Sequence, residues 1–395
     1  NVTGVQTCAL PILMQISSIS KKTERRKIFL GTDPIINIAV LLLTGIGILL
    51  VYAATRDWFA ANGQDPEYYL KRQLVNVIIG LALAYGVTLV DYRLLRAYTP
   101  VIWGAGVIGL ILVLIPGVGS IVNGARSWIS LPGGFQIQPA EIAKLTIIVG
   151  MALILAEREA GASGPTDRQV LYSLLVAAVP ILLIVAQPDL GTVLIISAAV
   201  ISIIAISGAR LRWVIGLIVL GITGIYLAVA SGEVSEYQLN RLRSFVDPFA
   251  DPQATGYQLR QARITIGSGG LFGKGLFEGP QTNGRFVPEQ QTDFIFTVAG
   301  EELGFLGSSL ILALYLIILM RAFSIARRSN ELFGRIVTVG VIAWFAFQIF
   351  QNIGMTMGLM PMTGVPLPFL SYGGSSMFAN MIGIGLLQNV YQRSR

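Results

Sequence analysis

The chain has 395 residues, of which 54% are hydrophobic and only 12% are charged, and its formal net charge is +7. A soluble domain carries about 25% charged residues, so this composition and its repeated long apolar runs indicate a polytopic membrane protein, not one that binds nucleic acid. There is no histidine and only one cysteine, Cys8, which excludes an intrachain disulfide and any site that needs imidazole. The remaining chemistry must use carboxylates, lysine, hydroxyls or backbone groups.

The first 13 residues do not resemble a signal peptide. They lack a basic start, and the charged run KKTERRK follows them instead of preceding them. Met14 is a natural initiator, so we interpret residues 1–13 as an artefactual or disordered prefix and residues 14–395 as a single membrane domain.

Ten apolar runs of roughly membrane-spanning length follow, and each is predicted to be a helix. They lie near 34–54, 73–90, 100–116, 139–156, 170–186, 192–206, 213–230, 294–320, 336–355 and 373–390.

Lysine and arginine indicate the orientation of these helices. With a cytoplasmic N-terminus, 17 of these residues fall on the cytoplasmic side, and the short loops opposite hold only four: Arg56, Lys71, Arg72 and Arg126. The sequence therefore predicts an all-α polytopic membrane protein with about ten transmembrane helices and both termini in the cytoplasm. One long extracytoplasmic loop, 231–293, joins the seventh and eighth helices.

The loop between the third and fourth predicted helices carries Arg126 and Trp128 in the motif NGARSWI. A tryptophan at a membrane boundary is typical of the aromatic belt. Beside Arg126, Trp128 could instead stack on a sugar or hold a phosphate.

The fourth predicted helix opens with QPAE, in which Pro139 favours a helix start and Glu141 lies near the positive end of the helix dipole. Lys144 follows three residues later on the same face. We predict that Glu141 and Lys144 belong to a charge network that includes Asp189, which lies in the tight turn 187–191.

Two features stand out in the long loop. The segment GYQLRQARITI places Leu259, Ala262 and Ile266 beside arginines, which predicts a short interfacial or re-entrant helix. The next run, GSGGLFGKG, is not a P-loop, because its spacing differs and no serine or threonine follows the lysine.

Five cations of the long loop are candidate ligands for an anion such as pyrophosphate: Arg243, Arg260, Arg263, Lys274 and Arg285. Lys274 sits among glycines whose backbone N–H groups could assist. A solvated surface of mixed charge is the alternative, since the loop also carries acidic residues.

Segment 286–304, FVPEQQTDFIFTVAGEELG, holds four carboxylates where the long loop meets the eighth predicted helix: Glu289, Asp293, Glu301 and Glu302. Carboxylates at a membrane boundary are costly and need a reason. Asp293 is predicted to be either a general base at the outer membrane surface or the N-cap of the eighth helix. Glu301 and Glu302 lie deeper, and we predict a buried ion pair with Lys144. Glu289 has no predicted role.

The last outer loop, 360–376, has no charged residue and contains three prolines and three glycines. This composition predicts a shaped, re-entrant segment that could line a lipid-facing groove. Ser371 is a candidate substrate contact here, and helix capping is its alternative role.

Together these motifs resemble one family. NGARSWI, QPAEIAKL, QPDLGT, FVDPFADPQATGYQLRQARITIGSGGLFGKG, VPEQQTDFIFTVAGEELGFLG and GVPLPFLSYGGSS are similar, in this order, to motifs of the SEDS family (shape, elongation, division and sporulation). GSGGLFGKG and GVPLPF look more like the RodA elongation branch than the FtsW division branch. The resemblance runs from the first to the tenth predicted helix and does not cover residues 1–13.

The resemblance implies a peptidoglycan glycosyltransferase of the bacterial cytoplasmic membrane that polymerises lipid II in the outer leaflet beside a class B penicillin-binding protein. The family's catalytic aspartate lies in TDFIF and corresponds to Asp293. Family members often carry histidine just before TDFIF, where this chain has Gln291, so a role for that histidine does not carry over. No cofactor is firmly implied, although a divalent cation, Mg²⁺ or Mn²⁺, could assist the leaving pyrophosphate.

Two other functions compete with polymerisation. Intramembrane charges would also suit a lipid II flippase, and the chain could be a non-catalytic scaffold for the penicillin-binding protein. A flippase does not need a long outer loop that gathers bases and carboxylates, which favours the enzyme over the transporter.

Overall fold

The computed structural model describes residues 31–122, 125–131, 135–158, 164–232, 238, 239, 241, 243, 245, 247 and 255–394. The predicted prefix, residues 1–13, lies outside these described residues. The helices, numbered in chain order, are α1 (Pro34–Ala61), α2 (Tyr68–Leu89), α3 (Tyr92–Leu114), α4 (Pro139–Ala156), α5 (Asp167–Val185), α6 (Leu190–Ile206), α7 (Leu211–Ala230), α8 (Thr255–Ser268), α9 (Pro280–Asn283), α10 (Ile295–Glu302), α11 (Gly304–Arg328), α12 (Leu332–Met357) and α13 (Gly374–Arg393).

The ten predicted spans all coincide with helices, although their bounds differ by several residues. By length and composition, eight of the described helices are apolar enough to cross a membrane: α1, α2, α3, α4, α5, α7, α11 and α12. The other two spans are α6, which is short, and α13, which is rich in polar side chains. The polytopic helical architecture is therefore confirmed.

Helix α13 can be polar because it is buried along most of its length, where it packs against α2. Its amide side chains bind neighbouring backbone groups. Asn389 Nδ2 lies 2.7 Å from Val87 O, and Gln388 Nε2 lies 3.1 Å from Asp33 O. Buried polar groups are tolerated when hydrogen-bonded, which explains a spanning helix of low hydropathy at the centre of the fold.

The helical fold contains one small sheet that was not predicted from the sequence. A three-stranded antiparallel sheet, β1 (Gly119–Val122), β2 (Ala125–Leu131) and β3 (Phe135–Ile137), fills the loop between α3 and α4. Val122 pairs with Ala125 across the dipeptide Asn123-Gly124. Asn-Gly is a strong hairpin signal, and the sequence interpretation overlooked it.

The eighth predicted span is divided in two. Helix α10 ends at Glu302 and α11 begins at Gly304, which has a φ of +65°. The glycine-rich run packs directly on this break: the backbone N atoms of Lys274 and Gly275 donate to Glu301 O and Glu302 O, at 2.9 and 3.1 Å. The N–H groups of Lys274 and Gly275 therefore bind the carbonyls of a broken helix, so their predicted use for pyrophosphate is wrong.

Replacing Gly273 by alanine should destabilise the protein by at least about 1–3 kcal/mol, because the new Cβ would overlap a carbonyl in a conformation that disfavours side chains. The φ of Gly273 is +83°, and a Cβ there would lie 2.1 Å from Glu302 O. Thermal unfolding in detergent measures the change. Gly267→Ala is the control, because nothing lies within 4 Å of its Cβ position. Equal stability of the two variants would contradict this role of the glycine run.

Candidate active site

Three outer segments meet beside Asp293: the loop that carries it, the last outer loop and the turn before α6. Asn352 on α12 links the first two, because its Nδ2 donates to Asp293 O at 2.8 Å and to Val365 O at 2.7 Å. Tyr372 N donates to Gln291 O at 2.8 Å. The turn before α6 packs closely against the last outer loop at Gly191. A Cβ added to Gly191 would lie only 2.5 Å from Val365 Cγ2, so no larger residue fits there.

Amide side chains on α12 also hold the last outer loop in its folded-back course. Gln348 Nε2 donates to Pro366 O at 2.7 Å, and Gln351 Nε2 donates to Pro361 O at 3.0 Å. A non-helical backbone near a membrane needs such internal partners. The shaped segment predicted from prolines and glycines is thus present, fixed by polar side chains of a neighbouring helix.

Ser371 belongs to this frame. Its hydroxyl donates to Thr292 O and accepts from Leu367 N, and the side chain is buried. Helix α13 instead begins at an N-cap formed by Gly373. Ser371 therefore joins two loops, and neither predicted role, substrate contact or helix cap, matches its position.

Asp293 is half-buried and its side chain does not cap α10. The N-cap residue is Phe294, which makes no side-chain capping bond, so that alternative is wrong. The carboxylate points toward Gly364, whose φ is +71°: a Cβ at Gly364 would lie 3.2 Å from Asp293 Oδ2. Glycine at this position thus leaves the carboxylate uncovered by a side chain.

The surroundings of Asp293 raise its pKa from 3.8 to about 7. Burial is the largest cause, and the negative charge of Glu289 is the next. The charge of Asp189 also raises the pKa, whereas the charge of Arg241 lowers it. A carboxylate with a pKa near the ambient pH is suited to accept a proton from a hydroxyl group.

Arg241 was missed by the sequence interpretation, which chose Arg243. The described residues 238, 239, 241, 243 and 245 are helical, so positions 241 and 243 point about 200° apart. Arg243 is exposed, whereas Arg241 is half-buried and its Nη atoms approach Gly364. Helical periodicity separates the two positions but does not show which of them faces inward, so Arg241 is identified only by its contact with Gly364 in the folded loop.

The other predicted anion ligands are dispersed. Arg263 Nε donates to Met357 O at 3.2 Å, at the end of α12, where a cation stabilises the helix dipole. The Arg285 guanidinium stacks over the Trp58 ring at 4.2 Å. Arg260 is half-buried on α8, and Lys274 is exposed. None of the five predicted cations is among the charges that shift the pKa of Asp293, so the described contacts do not gather them around its carboxylate.

The predicted partner of Lys144 is also corrected. Lys144 Nζ lies 2.9 Å from Glu141 Oε2 and 3.1 Å from Gln348 Oε1, and it sits 4.8 Å from the centre of the Trp344 ring. Glu301 instead accepts from Thr282 N at 2.7 Å and from Gln281 N at 2.9 Å. The Glu301 carboxylate thus binds free N–H groups in the first turn of α9. Buried Glu302 is the next residue and lies at the helix break.

Asp189 lies closer to the candidate site than predicted. It caps α6 by accepting from Thr192 N at 3.0 Å, and its Oδ2 accepts from Gln138 Nε2 at 2.9 Å. Gln138 directly follows β3. The base of the outer sheet therefore touches the Asp189 turn, while Arg126 and Trp128 lie farther along β2, both half-buried.

Across the described part of the chain, no group of three or more Cys, Asp and Glu side chains is placed to hold a metal ion. The divalent cation stays a prediction.

Comparison with known proteins connects this geometry to a family. The family model for FTSW_RODA_SPOVE, described as cell cycle protein, matches residues 34–395. Stage V sporulation protein E of Bacillus subtilis (strain 168) is 39% identical over 363 residues, covering 92% of this chain and 98% of that protein. The probable peptidoglycan glycosyltransferase FtsW of Trichlorobacter lovleyi is 37% identical over 364 residues, covering 91% of this chain and 92% of that protein.

A solved structure gives the same result. One chain from work on the structural coordination of polymerization and crosslinking by a peptidoglycan synthase complex superposes with a TM-score of 0.75 at 30% identity. The match covers 92% of this chain and 99% of that one. The present chain is thus a multi-pass protein of the bacterial inner membrane, and it belongs to the FtsW/RodA/SpoVE family of cell cycle proteins, the SEDS family that its motifs resemble.

Proposed function

We propose that this chain is a peptidoglycan glycosyltransferase that polymerises lipid II at the outer face of the cytoplasmic membrane. The single observation that carries the proposal is the Asp293 carboxylate, held at the meeting point of three outer segments with a pKa of about 7. The similarity to a probable peptidoglycan glycosyltransferase, FtsW, and to a chain of a peptidoglycan synthase complex supports the same activity.

The chemistry requires one base and a stabilised leaving group. The donor sugar is α-linked to a polyprenyl pyrophosphate and the product link is β, so a single inverting displacement suffices. Asp293 accepts the proton of the acceptor hydroxyl while the hydroxyl oxygen bonds to the anomeric carbon of the donor. The bond from that carbon to the pyrophosphate breaks, and the pyrophosphate leaves with the electron pair. A cation or a divalent metal ion would stabilise the departing charge.

A polymerisation assay tests the proposal against its competitors. The protein, purified with a class B penicillin-binding protein whose transpeptidase is blocked, is given lipid II in detergent. We expect glycan chains. Failure to form polymer, with lipid II crossing liposome membranes instead, would support a flippase, and absence of both activities would support a scaffold.

The cellular role divides into two candidates. The motifs GSGGLFGKG and GVPLPF favour cell elongation and shape control, whereas the names of the relatives at 37–39% identity favour division or sporulation. We propose the elongation role and retain division as the second candidate. Expression in bacteria depleted of RodA or of FtsW separates them, because we expect rod shape to return in the first strain and filaments to persist in the second.

Polymerisation should depend on pH through Asp293. The base is active only when deprotonated, so kcat/KM should increase with pH and reach half its maximum near pH 7, the acid limb of the profile. Glu289→Gln removes a negative neighbour and should move the limb to lower pH, because less repulsion opposes ionisation. Initial rates between about pH 5.5 and 8.5 measure the acid limb of the wild type and that of Glu289→Gln. A flat profile, or a limb that Glu289→Gln leaves in place, would contradict the assignment.

A further inference from the structure

We propose that Arg241 binds the leaving pyrophosphate of the lipid-linked donor beside Asp293. This inference rests on the proposed function, since it assigns a ligand within the same site.

The geometry is defined at Gly364. The Cβ position of this glycine lies 3.2 Å from Asp293 Oδ2 and 3.8 Å from Arg241 Nη2, so these two atoms are at most 7.0 Å apart. Asp293 and Arg241 come from opposite ends of the long outer loop and meet over a residue that has no side chain. The base and the guanidinium are thus close enough to act on one sugar-phosphate linkage.

The orientation of the guanidinium suits a phosphate. Both terminal nitrogens face the Gly364 position at nearly equal distances, Nη1 at 3.9 Å and Nη2 at 3.8 Å. Two nitrogens presented side by side match the paired oxygens of a phosphate group, which a lysine ammonium cannot do. Arg241 is also half-buried, and partial burial strengthens a charge-assisted hydrogen bond.

The remaining charges around the site give Arg241 a distinct role. Asp293, Glu289 and Asp189 are all acidic, so a pyrophosphate that approached without a cation would be repelled. Among the five cations predicted from sequence, Arg263 contacts the end of α12, Arg285 stacks on Trp58, and Lys274 and Arg243 are exposed. The fifth, Arg260, is half-buried on α8 and is not among the charges that shift the pKa of Asp293, whereas Arg241 is. Arg241 is the cation that the described contacts place against the carboxylate.

Equilibrium binding in detergent tests the inference without requiring catalysis. The probes are farnesyl pyrophosphate, farnesyl monophosphate and farnesol. We expect the wild type to bind the pyrophosphate most tightly, and Arg241→Gln to lose at least about tenfold in affinity for it while binding farnesol unchanged. Arg241→Lys keeps the charge but not the paired geometry and should recover only part of the loss. Lys71→Gln removes an exposed outer cation, paired with Asp65 and Glu67, and should bind like wild type.

A pH profile separates pyrophosphate binding from a simple electrostatic effect on Asp293. If Arg241 only lowers the pKa of Asp293, Arg241→Gln will move the acid limb of polymerisation upward and leave pyrophosphate affinity unchanged, which overturns the inference. Circular dichroism and thermal unfolding confirm that each variant is folded. If the wild type does not polymerise lipid II but Arg241-dependent pyrophosphate binding persists, the proposed function fails, and Arg241 remains a ligand for lipid pyrophosphate without a leaving-group role.

Discussion

Asp293→Asn should reduce lipid II polymerisation by about 10²–10⁴-fold, the usual contribution of a positioned general base. Asparagine has the same shape as aspartate but cannot accept the proton. The backbone of residue 293 would keep its bond from Asn352 Nδ2 and its own bond to Glu289 O. Chain formation from labelled lipid II, with the transpeptidase blocked, measures the loss.

The same substitution should not destabilise the fold. The pKa of Asp293 is higher in the folded chain, about 7, than its ordinary value of 3.8, so the folded state holds this proton more tightly. Ionisation of Asp293 therefore lowers stability as the pH rises between these values. At about pH 8 the neutral asparagine should leave the melting temperature unchanged or raise it. An inactive variant with a lower melting temperature would indicate a structural role, and a fully active one would remove Asp293 from the mechanism.

Asp189→Asn is a useful comparison for this experiment. Asp189 caps α6 through Thr192 and lies near enough to Asp293 to raise its pKa. Asparagine is also a good N-cap, so the helix should persist. We expect Asp189→Asn to retain polymerisation with an acid limb at lower pH, in contrast with the loss in Asp293→Asn.

The sequence was sufficient for features that depend on local composition. Long apolar runs predicted the ten spans because each spanning helix must cross the hydrocarbon layer. The short helix α8 was predicted from Leu259, Ala262 and Ile266, and the first two are buried in a small outer core with Val287, Phe294 and Met362. The Gly-Pro composition of the last outer loop likewise predicted a folded-back segment.

Features that depend on distant contacts were not predictable in the same way. The partner of Lys144 was misassigned because the break at Leu303 turns Glu301 toward α9, and that break depends on glycines about 30 residues earlier. Arg241 was passed over because only the folded loop places its guanidinium near Gly364. Both errors concern charged side chains, whose partners are set by tertiary structure and not by spacing along the chain.

Lys144→Met should strongly destabilise the protein. Glu141 and Lys144 are each about 2% exposed, and removing one member of a buried ion pair leaves the other charge uncompensated, at a cost of about 3–5 kcal/mol. Gln348 Oε1 would also lose its ammonium donor, although it would keep the bond from Trp344 Nε1. We expect a sharp drop in monodisperse protein after detergent extraction and a lower melting temperature.

The double variant Glu141→Gln with Lys144→Met decides why the pair matters. Neither side chain then carries a charge, so the cost of burying an unpaired charge disappears. The double variant should therefore be markedly more stable than either single one. Lys71→Met breaks an exposed pair with Asp65 and should cost no more than about 1 kcal/mol. A double variant no more stable than Lys144→Met would contradict the electrostatic explanation and point to packing against Trp344. A double variant that is stable but does not polymerise lipid II would show that the pair serves the reaction as well as the fold.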